Sequence, residues 1–129
     1  MPLPDGLITG KTARMPGDWK QQPKARGCRH HEPGKMNKRE ARYALELEAR
    51  QRAGEILWWE YEPMKLKVAA NPPGTTLQSS WLCPDFLVMM ADGTLEVHEV
   101  KGRWEEDAKE KWKVVMERYW FFKFVLIDR

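Results

Sequence analysis

From Asn37 to Gly54 the apolar positions fall at helical spacing: Tyr43, Ala44 and Leu47 form one stripe, the stem of Arg50 extends it, and Leu45 lies on its flank. The rest of NKREARYALELEARQRAGE is made of strong helix formers. Asn37 is placed to cap this helix, Glu40 stands at its third position as in a capping box, and Gly54 is a natural stop. The apolar runs then shorten. ILWWEYEP (56–63) and MKLKV (64–68) read as strands, and AANPPGTTLQSS (69–80) as a loop of Pro, Gly and small polar residues. PDFLVMMADGTLEVHEVKG (84–102) reads as a β-hairpin. EEDAKEKWKVVMERYW (105–120) is a second helix, acidic in its first turn, with Ala108, Trp112, Val115, Met116 and Tyr119 at helical spacing. FKFVLI (122–127) closes the chain as a buried strand. The order is helix, two or three strands, helix, strand, with no internal repeat. It predicts an α/β domain with a mixed central sheet flanked by helices.

Composition adds limits. A chain of 129 residues, 42% hydrophobic and with seven tryptophans, is expected to form one domain around a single core. There is no long apolar run, so no transmembrane helix is expected, and the N-terminus lacks the apolar stretch of a secretory signal. Two cysteines, Cys28 and Cys83, do not make a disulfide framework, and a reducing intracellular setting is the expectation.

Charge changes the picture more. Residues 1–39 hold nine Lys/Arg against three Asp/Glu, whereas residues 40–129 hold thirteen against sixteen. The chain thus divides into a basic N-terminal arm, 1–35, rich in Pro and Gly and without sustained period, and a folded domain, 36–129. Such an arm is either a solvated tail or a segment ordered by a polyanion such as nucleic acid. Its Lys11, Arg14, Lys20, Lys24, Arg26 and Arg29 are candidate phosphate contacts, as are Lys35, Lys38, Arg39 and Arg103 nearer the domain's candidate site. CRHHE places Cys28, His30, His31 and Glu32 together, which is half of a zinc pattern without a well-spaced second pair.

The hairpin carries the chemistry. Ala91-Asp92-Gly93 suits a three-residue loop with Gly93 in the left-handed position. That loop pairs Met90 with Thr94, Val88 with Glu96, Leu87 with Val97 and Asp85 with Glu99. Opposed residues share a face with Cβ atoms roughly 4.5–5.5 Å apart, and Lys101, two beyond Glu99, joins them. A two-residue loop would instead put the two acids on opposite faces. Facing carboxylates repel unless a hard cation lies between them. Mg²⁺ commonly uses one or two carboxylates with water and phosphate, and a lysine beside it can orient water or stabilise charge. Asp, Glu and Lys on one face therefore fit metal-assisted phosphodiester hydrolysis. Taken singly, an Asp after Pro caps turns, and Glu–Lys two apart is common on solvated strands. His98 points to the other face, as a core or surface histidine. Trp58, Trp59, Trp81, Trp112 and Trp120 are assigned to packing or a dimer surface, and Asp107 to the helix dipole.

PDFLV…VHEVKG is similar to the motif of the PD-(D/E)XK nucleases, the restriction-endonuclease-like superfamily, with EVK as the (D/E)XK element. Together with NKREARYALELEARQRAGEILWWEYEP, EVKGRWEEDAKEKWK and FKFVLI, it resembles a phage-associated family of small nucleases (DUF1064) and the endonuclease I-type Holliday junction resolvases of phages. The likeness spans about residues 36–129. It implies a restriction-endonuclease-like αβββαβ core and a metal-dependent DNA endonuclease acting on branched DNA, with other DNA forms or a non-catalytic DNA-binding module as alternatives. It also implies a homodimer with paired sites, and the cytoplasm of a bacterial host as location. By this resemblance Asp85, Glu99 and the backbone carbonyl of Val100 bind Mg²⁺ or Mn²⁺, Glu40 on the first helix joins directly or through water, and Lys101 positions or activates the attacking water. Trp104, next to KGR, either stacks on an unpaired base or belongs to the core.

Overall fold

The computed structural model describes residues 35–128. The elements run α1 (Lys38–Arg52), β1 (Ile56–Tyr61), β2 (Leu66–Ala69), β3 (Ser80–Leu82), β4 (Phe86–Met90), β5 (Leu95–Lys101), α2 (Glu106–Arg118) and β6 (Lys123–Asp128). The capping box forms as the sequence predicts: the Asn37 side chain accepts from the Arg39 and Glu40 backbone N–H groups, each at 2.9 Å, and the Glu40 carboxylate accepts from the Asn37 N–H at 2.9 Å. Asn37→Ala should therefore cost about 1 kcal/mol of stability, checked by thermal unfolding. The helix ends at Ala53, and Gly54 follows at φ +83°, open to a residue without Cβ.

Four strands make one mixed sheet in the order β1-β4-β5-β6, antiparallel except for the parallel β5–β6 pair. The parallel pair follows from α2, which supplies the crossover between β5 and β6. A second, two-stranded sheet pairs β2 with β3. The sequence reading placed β2 but left Ser80–Leu82 partly in the loop: this short strand exists through pairing with β2, a contact no local period announces.

One face of the sheet packs on α1. Tyr43, Ala44 and Leu47 meet Trp59, Tyr61, Phe86, Val88 and Val100 in the core. Phe86 is fully enclosed, with the rings of Tyr43, Trp59 and Tyr61 at 5.5, 5.8 and 5.4 Å. Strand alternation sends Leu87, Val97, Glu99 and Lys101 to the other face. There Trp112 of α2 packs edge-on against Phe124, the register neighbour of Val97, at 5.9 Å. Trp120 and Phe121, between α2 and β6, are exposed. Among the described residues no helix is long and apolar enough to cross a membrane. Cys83 is buried and is not a free thiol, which departs from the expectation of reduced cysteines.

Candidate active site

The hairpin takes the register that the three-residue loop demands. Phe86 faces His98, Leu87 faces Val97 and Val88 faces Glu96. The loop closes with Met90 N–H to Thr94 C=O and Gly93 N–H to Met90 C=O, both 2.9 Å, with Gly93 at φ +87°. Beyond Phe86 and His98 the ladder is replaced by side chains. The Asp85 N–H donates to Glu99 Oε2 at 3.1 Å, and the Val100 N–H donates to Asp85 Oδ2 at 2.8 Å. The two acids are thus clamped side by side, each held by backbone at the neighbouring strand, and both are 98% buried. Lys101 Nζ lies 2.9 Å from Glu99 Oε1. Asp85, Glu99 and Lys101 are thus brought together at the open end of the hairpin.

Electrostatics follow from that crowding. Burial, then the charge of Glu99, pushes the Asp85 carboxyl up to about 8, against the opposing Val100 hydrogen bond. Burial likewise raises Glu99, only partly offset by Lys101. Burial disfavours the Lys101 ammonium, but Glu99, Asp85 and Glu40 outweigh it and its pKa is raised. The metal-free protein therefore holds Lys101 as a cation beside an acid pair that resists full ionisation.

Glu40 is buried on the sheet side of α1, as the sequence predicts, while Glu46 and Glu48 are only half-buried. Its oxygens are engaged: Oε1 accepts from Asn37 Nδ2 at 2.7 Å, and Oε2 accepts from the Asn37 N–H and from the Tyr61 hydroxyl at 2.8 Å. Glu40 is near enough to act electrostatically on Asp85, Glu99 and Lys101. Even so, among the described residues no three His, Cys, Asp or Glu side chains close on one ion. What fits a hard divalent cation is the Asp85–Glu99 pair, whose charge repulsion such an ion relieves, with water and a phosphate oxygen filling the remaining positions.

The other candidates are placed as follows. Arg39, exposed at the start of α1, rests its guanidinium against Gly102, where a Cβ would overlap it. This brings a cation without an ion pair among the described residues next to Lys101. Lys35, Lys38 and Arg103 are exposed. Trp104 is half-exposed and packs edge-on against Trp112 at 6.2 Å. Lys11, Arg14, Lys20, Lys24, Arg26 and Arg29, with Cys28, His30, His31 and Glu32, lie outside the described residues. His98 is a satisfied core histidine: Nδ1 is 2.6 Å from the Tyr43 hydroxyl and Nε2 2.8 Å from Glu96, and burial lowers its pKa, keeping the ring neutral.

Glu62 was missed. It follows β1 at φ +45°, its N–H donates to the Asp85 carbonyl at 2.8 Å, and it is 97% buried. A non-glycine residue in that conformation, just before Pro63, is strained by on the order of 1–3 kcal/mol. The signal that finds it is the β1–β4 pairing, Tyr61 opposite Phe86, which puts Glu62 opposite Asp85.

Fold and site together define a small mixed α/β domain with a buried acid pair and a lysine at the open end of a hairpin. The chain belongs to the family described as Protein of unknown function (DUF1064), which matches residues 35–129. No curated protein and no solved structure matches the chain.

Proposed function

We propose that this protein is a metal-dependent DNA endonuclease with a restriction-endonuclease-like core, hydrolysing phosphodiester bonds with branched DNA as its favoured substrate. The observation that carries the reading is the pair of buried carboxylates, Asp85 and Glu99, locked together by backbone N–H groups with Lys101 on the same face. So costly a cluster is not needed to hold a hairpin whose core is already closed by Phe86 and Val88. Branched DNA, the homodimer that paired cuts need, and the bacterial host cytoplasm come from the resemblance to phage resolvases.

In this reading Asp85 and Glu99 hold Mg²⁺ or Mn²⁺, with Glu40 reached through water and the Val100 carbonyl as a further oxygen donor. The ion supplies Lewis-acid stabilisation of the leaving oxygen and lowers the pKa of water. Lys101 holds the attacking water or the scissile phosphate with its ammonium, and carboxylate neutralisation lowers the pKa that Glu99 and Asp85 now raise. Arg39 on Gly102, with Lys35, Lys38 and Arg103, lines the approach of the DNA backbone, and the basic arm extends it.

The test is cleavage of four-way, flapped, linear and single-stranded DNA with and without Mg²⁺. Paired cuts confined to the junction are expected. Cutting of every form means a general nuclease, and metal-independent binding without cutting means a binding module; either overturns the junction reading. Gly102→Ala should displace Arg39 and leave stability within about 0.5 kcal/mol, because only the tip of an exposed side chain moves. Junction affinity at low salt should fall a few-fold and the slope of log affinity against log salt by roughly one phosphate contact, read by anisotropy in EDTA.

A further inference from the structure

We infer that Trp81, flanked by Lys65 and Lys67, is a holding site for one unpaired nucleotide of a nucleic-acid strand, the ring taking the base and the two ammonium groups its phosphate. The inference rests on the phosphodiester-cleaving reading above and adds to it the form of strand that the site takes. Trp81 is 40% exposed although it lies within β3. In the β2–β3 ribbon it faces Lys67, and Lys65, two positions earlier, shares that side. The Nζ atoms of Lys65 and Lys67 lie 4.6 and 4.9 Å from the centre of the Trp81 ring. Among the described residues neither lysine makes an ion pair with a carboxylate. Two like charges are thus gathered on one exposed ring. Cation–π attraction at an exposed site is weak, and an anion between the two ammonium groups relieves their repulsion as the ring cannot. An aromatic face with cations at its rim is the combination that single-stranded nucleic acid takes, stacking for the base and charge for the backbone. An acidic peptide would use the lysines and leave the ring exposed.

Position points the same way. The ribbon is a fixed platform: the Lys67 N–H donates to the Tyr119 hydroxyl at 3.0 Å and that hydroxyl donates to the Lys67 carbonyl at 3.3 Å, which ties β2 to the end of α2. Leu66, on the opposite side of the ribbon, is buried. The foot of the ribbon opens on the acid pair, where the Glu62 N–H donates to the Asp85 carbonyl at 2.8 Å, and Trp81 stands four residues before Asp85. Four residues of extended chain span at most about 14 Å, so a base on Trp81 lies within a few nucleotides of a phosphate at Asp85 and Glu99. A paired duplex keeps its bases stacked inside and offers Trp81 none, whereas a branch or flap does. Trp81 thereby favours branched over fully paired DNA.

Fluorescence anisotropy of a labelled single-stranded oligothymidylate and of a labelled blunt duplex, with the full-length chain in EDTA, tests this without reference to cleavage. Trp81→Ala should lower single-strand affinity by roughly five- to a hundredfold and duplex affinity by less than about twofold. Lys65→Met and Lys67→Met should each flatten the slope of log single-strand affinity against log salt by about 0.7. Trp81→Phe should keep most of the affinity but lose part of the quenching of protein fluorescence that accompanies binding, a change that a merely structural tryptophan would not produce. It also serves if Trp81→Ala does not fold. Single-strand affinity unchanged in Trp81→Ala, equal losses for single strand and duplex, or quenching unchanged in Trp81→Phe overturns the inference, as does a wild type that binds no single strand at low salt. The metal-dependent reading stands or falls separately, on Mg²⁺-dependent cleavage and its loss in Asp85→Asn.

Discussion

Asp85→Asn should abolish Mg²⁺-dependent DNA cleavage, by on the order of a thousandfold or more, while making the metal-free protein more stable at pH 8. The two effects share one cause. Asp85 is pushed up to about 8 by burial and by Glu99, so above that pH the folded protein carries two adjacent buried charges. Asparagine keeps the shape and can still accept from the Val100 N–H, but it removes one charge and one metal ligand. The sign of the pH dependence follows. A carboxyl whose folded pKa lies above its unfolded one, near 3.8, binds more protons folded than unfolded between those values. Metal-free wild type therefore loses stability as pH rises from about 4 to about 8, by about 1.4 kcal/mol for each unit of separation. In Asp85→Asn this slope should flatten, and in wild type Mg²⁺ should restore stability at pH 8. Melting curves across pH, with EDTA or Mg²⁺, read all three; an unchanged slope would remove Asp85 from the coupled pair.

Lys101→Ala should lower cleavage by about 10²–10⁴-fold without loss of metal binding. The contrast with Asp85→Asn separates ligand from water-positioning group. Lys101 Nζ sits 2.9 Å from Glu99 and repels an incoming cation, so its removal should leave Mn²⁺ affinity equal or tighter. It also strips the buried Glu99 of its counter-charge. Because Lys101 is a quarter exposed, the expected cost is discounted to about 1–2 kcal/mol at pH 8, and Mg²⁺ should recover it. Calorimetric Mn²⁺ titration and single-turnover cleavage together check this. Loss of metal binding in Lys101→Ala would mean that the lysine organises the acids rather than the water.

How much of this was legible in the sequence differs by element. Helix α1 was readable because its stripe, cap and stop agree: Asn37, Glu40, Leu47 and Gly54 each favour the same answer. The hairpin register was readable because Gly93 fixes the loop length, and loop length fixes which side chains share a face. Strand β3 was not, since three residues carry no period and exist by pairing with β2. Glu62 was hidden for a related reason: its place beside Asp85 depends on the β1–β4 register, which two separated segments settle only in three dimensions. Arg39 could be named as a cation near the site, but its seat on Gly102 depends on how α1 meets the end of β5. The contact of Trp104 with Trp112 was not legible, because the two stand eight positions apart, across the turn into α2.

The central claim is that Asp85 and Glu99 jointly hold one divalent cation. Calorimetric titration of Mg²⁺ or Mn²⁺ into the metal-free protein near pH 7, in buffers of different ionisation enthalpy, addresses it most directly. The acid pair retains a proton at that pH, so binding should release protons and should vanish in Asp85→Asn. Absence of binding, or binding that releases no proton and survives Asp85→Asn, would contradict the account.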